Sequence, residues 1–189
     1  DLIGKVANIA SRCSNFITKG NDGLLSANLE DHTLWSKVVG ESELIASSFE
    51  KREYGKAVRL IMAQADIINE YIAKKEPWLL AKDPNNRQLV LDICSLAINV
   101  FRVLMVYLKP ILPEMAKATE SFLNERIDWS SLSRPLLSHK INKFKPLMQR
   151  IEQSQIKSMI ENNNQTITTH NSKKKKVSKN MDSKNIEEV

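Results

Sequence analysis

The stretch that most constrains the fold is residues 87–108. Leu89, Val90, Ile93, Leu96, Ala97, Val100, Phe101, Leu104 and Tyr107 repeat with helical spacing and leave little polar circumference. A helix apolar on most sides must lie at the centre of a fold. The other segments must then cover it.

Those segments also carry the helical period. Leu2, Val6, Ile9, Cys13, Phe16 and Ile17 predict a helix over 2–18, with Gly20 placed as a C-cap and KGNDG (19–23) as a turn. Thr33 or Asp31 can cap a second helix to about Phe49, with Leu34, Val38, Leu44, Ile45 and Phe49 inward. A third helix spans about 53–75, with Tyr54, Ala57, Val58, Ile61, Ala65, Ile68 and Ile72 on its apolar side, until Pro77 interrupts it. PWLLAK (77–82) is short and DPNNR (83–87) is a turn. Pro110 and Pro113 restart a helix through about Leu123, a loop carries Trp129, Pro135 and His139, and a last helix covers about 144–161. The expectation is an all-α antiparallel bundle of about five or six helices over 1–161. Only 5 Gly and 6 Pro argue against a turn-rich β fold.

From Asn162 the composition changes to NNNQTITTHNSKKKKVSKNMDSKNIEEV, without an aromatic residue, so 162–189 is expected to be a disordered Lys-rich tail or linker. Net charge is +6, but the tail holds 6 Lys against Asp182, Glu187 and Glu188, leaving 22 basic and 19 acidic residues in 1–161. A bundle so nearly balanced does not bind polyanions in bulk. Any nucleic-acid recognition must rest on placed residues.

Residue by residue, little points to catalysis or metal binding. Cys13 and Cys94 form no CxxC pair and read as buried small hydrophobes in a reducing cytoplasm. His32, His139 and His170 stand in no metal-ligand spacing, and a Cys13–His139 nucleophile pair has only residue type behind it. KVSKN (176–180) has the look of a synthetase KMSKS loop but sits in a polar tail with no fold to hold it. The NQT sequon at Asn164 carries no meaning in the cytoplasm. We expect no membrane association, because no uncharged stretch approaches the roughly 20 apolar residues of a span.

A candidate binding site is more legible. Asn8 and Arg12 share one side of the first helix, and Trp78 follows Pro77 directly. A Trp fixed by Pro at a helix end can stack an unpaired base, and Arg can bond two coplanar acceptors such as O2 and N3 of cytosine. The plainer alternatives are Trp78 as a core anchor and Arg12 paired with Glu50 or Glu53. Lys56, Arg59, Lys74 and Lys82 are candidate phosphate contacts only by charge and proximity in sequence.

Four segments, KVANIASRCSNFI (5–17), REYGKAVRLIMAQADIINEYIAKKEPWLLAK (52–82), CSLAINVFRVLMVYLKPILPEMAKATESFLN (94–124) and PLLSHKINKFKPLMQRIE (135–152), resemble in order the anticodon-binding domain of bacterial methionyl-tRNA synthetases. The resemblance covers nearly all of 1–161 and is close in character to the enterobacterial form. It implies a helical bundle following a class I catalytic domain, with Asn8, Arg12 and Trp78 meeting the CAU anticodon of methionine tRNA. ATP, a zinc knuckle and the HIGH and KMSKS motifs would belong to a catalytic part N-terminal to Asp1, so this chain alone is expected to be inactive and to hold no cofactor. Many members carry a C-terminal domain that binds tRNA and forms homodimers, where the Lys-rich tail would lead. The rival readings are a stand-alone helical RNA-binding module and a helical protein-interaction scaffold.

Overall fold

The computed structural model describes residues 3–147, 153–154 and 156–160. Contacts divide the chain into two units, Asp1–Met148 and Gln149–Val189. In the second, the described residues are helical. The expectations for 162–189, including the tail, KVSKN and the sequon, lie outside the described residues.

The first unit is all-α as expected. A π-helical turn, Ile3–Ala7, leads into α1 (Asn8–Gly20); α2 (His32–Gly40), α3 (Ser42–Glu50), α4 (Tyr54–Lys75), α5 (Pro77–Leu80), α6 (Arg87–Leu108) and α7 (Pro113–Leu123) come after it in chain order. Short 3-10 turns occupy Pro84–Asn86 and Trp129–Ser133.

α6 is the axis. Every residue from Ile93 to Leu108 is buried, and α1, α2, α4, α5 and α7 all pack on it. By length and composition Pro84–Leu108 would suffice to cross a membrane, although Arg87, Asp92 and Arg102 keep it from being an uncharged stretch. Yet 83% of its most apolar window is buried inside the bundle, as in the core helix of a globular domain. Full enclosure also draws in Arg102, which lies off the apolar side traced in the sequence. Its guanidinium donates to both carboxylate oxygens of Glu125 (2.7 and 2.9 Å) and to the carbonyls of Ser131 and Arg134 (2.7 and 3.0 Å). A buried cation is tolerable only with such complete pairing. The ion pair thereby ties the 125–134 loop across α6. Asn99 does the same one turn earlier, donating to Leu136 O at 3.0 Å and accepting from Leu136 N at 2.6 Å.

Several boundaries depart from expectation. The helix expected from Asp31 to Phe49 is two, broken after Gly40. Tyr107 Oη donates to the carbonyl of Val38 at 3.0 Å beside the break, and Asp31 caps the start by accepting from Leu34 N at 2.8 Å. A single continuous period does not carry across the break, and on its two sides Trp35 is buried and Leu44 is exposed. Tyr54 and Leu89, expected inward, lie at helix starts and are exposed. Gly20 ends α1 without a positive φ. The left-handed residues are Asp22 and Gly23 (φ 50° and 80°). Gly23 cannot carry a side chain, because a Cβ there would stand 2.7 Å from the carbonyl oxygen of Ile141, whose N–H donates to Gly23 O at 2.8 Å. Residues 141–147 run non-helically, so the last helix does not begin at 144.

Candidate RNA interface

α1 owes its orientation to its buried side. Ile9, Ala10, Cys13, Ser14 and Ile17 face the core, which leaves Asn8 exposed and Arg12 half-buried on the outer side. The π turn before it is held by Asn69 of α4, whose Nδ2 donates to Lys5 O at 3.0 Å and to Ala65 O at 2.8 Å. Lys5 also pairs with Asp66 at 2.6 Å. Ser11 Oγ donates to the carbonyl of Asn8 at 3.1 Å, while the side-chain amide nitrogen of Asn8 has no partner among the described residues.

Trp78 arrives from another direction. α4 ends at Glu76, which is left-handed (φ 46°, ψ 55°), a conformation that stops the helix. Pro77 then opens α5, where its missing N–H costs nothing and its ring is buried. Leu79 N donates to Glu76 O at 2.8 Å, closing the turn that carries the indole outward. Trp78 is half-buried: part of it packs on the core and part reaches solvent.

The two elements meet at one contact. The Arg12 guanidinium carbon stands 4.7 Å from the Trp78 ring centroid, in cation–π geometry. Asn8 lies one helical turn away on the same side of α1. Arg12 does not pair with Glu50 or Glu53, the alternative considered from the sequence; Glu53 holds Lys56 at 3.0 Å. Trp78 packs partly on the core and leaves the rest of its ring open to solvent.

Other candidates scatter. Lys56 and Arg59 lie in the first two turns of α4, whereas Trp78 stands just beyond its last residue, roughly 30 Å away along the axis. Lys74 and Lys82 are exposed at the Trp78 end. A basic cleft that sequence reasoning missed is lined by Lys19, Arg87 and Lys140, which come from three distant segments. Only the packing of α1, α6 and the 138–141 segment brings them together. Lys140 pairs with Asp22 at 2.8 Å, holding that exposed carboxyl below its usual pKa, and Arg87 donates to Gly20 O.

Nucleophile chemistry finds no support. Cys13 and Cys94 are free, fully buried thiols, and the neighbouring Cys13 together with burial pushes the Cys94 thiol pKa up, away from reactive thiolate. His139 bonds the Leu123 carbonyl through Nε2 at 2.7 Å, so the Cys13–His139 pair does not form. Among the described residues no three His, Cys, Asp or Glu converge as metal ligands.

The fold is one found in aminoacyl-tRNA synthetases. It aligns with methionyl-tRNA synthetase of Mycobacterium tuberculosis in its apo form (TM-score 0.72, 19% identity, 80% of this chain and 33% of that one). It aligns equally with the same enzyme in complex with methionyl-adenylate (TM-score 0.71, 19% identity, 79% and 31%). A family model, the anticodon binding domain of methionyl tRNA ligase, matches residues 26–158. Methionine–tRNA ligase of Psychrobacter sp. (strain PRwf-1) is 49% identical over 168 residues, 88% of this chain and 24% of that relative. The chain belongs to the methionyl-tRNA ligase anticodon-binding domain family, and it spans about a quarter of the length of that curated relative. The family match contains Trp78 but begins beyond α1, so Asn8 and Arg12 lie outside it.

Proposed function

We propose that this chain recognises the CAU anticodon of methionine tRNA, as part of an enzyme that joins methionine to tRNA using ATP. The observation that carries the reading is the Arg12–Trp78 contact beside an exposed Asn8. An unpaired base stacks on the open part of the indole. Arg12 already lies against that ring, so its planar fork is ordered before RNA arrives and needs only a small swing to meet the base edge. The O2 and N3 acceptors of cytosine suit that fork, and the amide of Asn8 supplies a donor and an acceptor to a neighbouring edge or to the backbone. The ligation chemistry, with ATP and a zinc site, is assigned to a catalytic part outside residues 1–189. Cytoplasmic location and a homodimer formed through a further C-terminal domain complete the proposal.

Binding of labelled anticodon stem-loops tests it. CAU should bind more tightly than stem-loops altered at any one anticodon position. Equal affinity for all of them would overturn anticodon recognition and leave a general RNA-binding module.

A further inference from the structure

Asn8 and Arg12 occupy only part of the outer side of α1. One turn beyond Arg12 stands Phe16, half-buried, and it walls a cavity of about 500 Å3. Ala81, about one turn beyond Trp78, lines the same cavity. The cavity wall thus stands about one helical turn from each partner of the Arg12–Trp78 contact. Val90 and Leu91 of α6 make its floor apolar.

Its rim is amide-rich. The backbone N–H of Asn85 donates to Asp83 Oδ1 at 2.9 Å, which fixes the rim turn, and the Asn85 side-chain amide has no partner among the described residues. Asn21 Nδ2 donates to Leu24 O at 2.8 Å, leaving its own oxygen as an acceptor. An apolar slot with an aromatic wall and an amide rim has the chemistry of an unpaired nucleobase, which offers flat faces for stacking and a mixed donor–acceptor edge. The basic cleft of Lys19, Arg87 and Lys140 adjoins the cavity and shares Gly20, Asn21 and Arg87 with it. A base seated in the slot would leave its phosphate beside that positive charge.

We infer that this cavity is a second base-binding subsite, with Phe16 as its stacking surface and Asn85 as its edge reader. It takes the unpaired RNA nucleotide next in the strand to the one held at Trp78. The inference rests on the anticodon reading above.

The test uses the whole chain and a fluorescent CAU stem-loop, read by anisotropy. Each loop nucleotide is made abasic in turn. Phe16→Ala should weaken binding on the order of tenfold or more, the usual return from one stacked base, and Asn85→Ala severalfold. Both losses should vanish with the RNA abasic at one particular position. That position should adjoin the different one that silences Trp78→Ala. Asn85 is exposed, so Asn85→Ala decides the matter if Phe16→Ala melts early. Wild-type binding by both cavity variants, with Trp78→Ala impaired, would overturn the subsite and leave the anticodon reading standing. Wild-type binding by all three would overturn both. Losses undiminished by every abasic RNA, or silenced at the same position as Trp78→Ala, would also overturn the subsite.

Discussion

Removing the indole of Trp78 separates the two roles the structure gives it. A fully buried Trp truncated to Ala costs about 3–5 kcal/mol of stability. Trp78 is half-buried, so Trp78→Ala should cost about 2 kcal/mol, with a further fraction of a kcal/mol from the lost contact with Arg12. A domain of this size has about 5–15 kcal/mol in hand, so the variant should fold. Its RNA affinity should fall by about 1–3 kcal/mol, roughly ten- to a hundredfold. Arg12→Ala should overlap with it, because the guanidinium depends on the ring for its position and both act on the same nucleotides. The assay is a double-mutant cycle run twice, once on thermal stability and once on stem-loop affinity. In stability the coupling should be small, about 0.5–1 kcal/mol, as for a partly exposed cation–π pair. In affinity for CAU it should be larger, and it should shrink for a mismatched stem-loop. Strict additivity in affinity would refute the idea that Arg12 and Trp78 read one base together. A variant that melts far below this estimate would return Trp78 to the core alone.

Glu125→Gln should destabilise the chain by about 3–5 kcal/mol in a denaturant titration, since it strips the countercharge from the buried Arg102; a loss below about 1 kcal/mol would mean the loop relaxes to hydrate the guanidinium. Glu120 accepts from Lys109 Nζ at 2.7 Å and Ile127 N at 3.1 Å, which hold its carboxyl below the ordinary value of 4.5. Its contribution to stability is therefore complete above the unfolded pKa and disappears as pH falls through the folded one, so Glu120→Gln should flatten the stability–pH curve below about pH 5 and leave its slope near neutrality unchanged. Deleting residues 162–189, with their six lysines, should weaken matched and mismatched stem-loops alike and make the salt dependence shallower; a changed ratio between the two RNAs would make that segment a specificity element.

The helical period places the buried side of an element and says little about how one element bends into the next. α6 was legible as the centre because an all-round apolar helix has no other place to be. The break between α2 and α3 was not, because Gly40 alone does not force it. The hydroxyl of Tyr107, which lies far along the chain, accompanies it by bonding the Val38 carbonyl. Arg102 was illegible for a related reason. On a helix with any open side an arginine belongs in water, and only the wrapping of the 125–134 loop, which supplies Glu125 and two carbonyls, makes burial tolerable. Local chemistry did better near single residues: α4 stops just before Pro77, and Asp31, one of two caps the sequence offered, caps α2.

The candidate interface divides along the same line. Asn8 and Arg12 share a helix side by arithmetic, and Trp78 is marked by its proline, so each half could be found in the sequence. Their meeting could not, because it depends on α1 and α5 both packing against α6. Phe16 shows the limit most clearly. Its spacing places it with Ile9, Cys13 and Ile17 as a core residue, and part of it does pack there. The remainder forms a wall only because Ala81 and Asn85 arrive opposite it from the turn before α6. The inward sides of α1 and α6 are fixed by apolar periodicity, but the outward surfaces that could hold RNA arise where two such elements adjoin. A sequence pattern can therefore find residues on either side of the slot without showing that a slot lies between them.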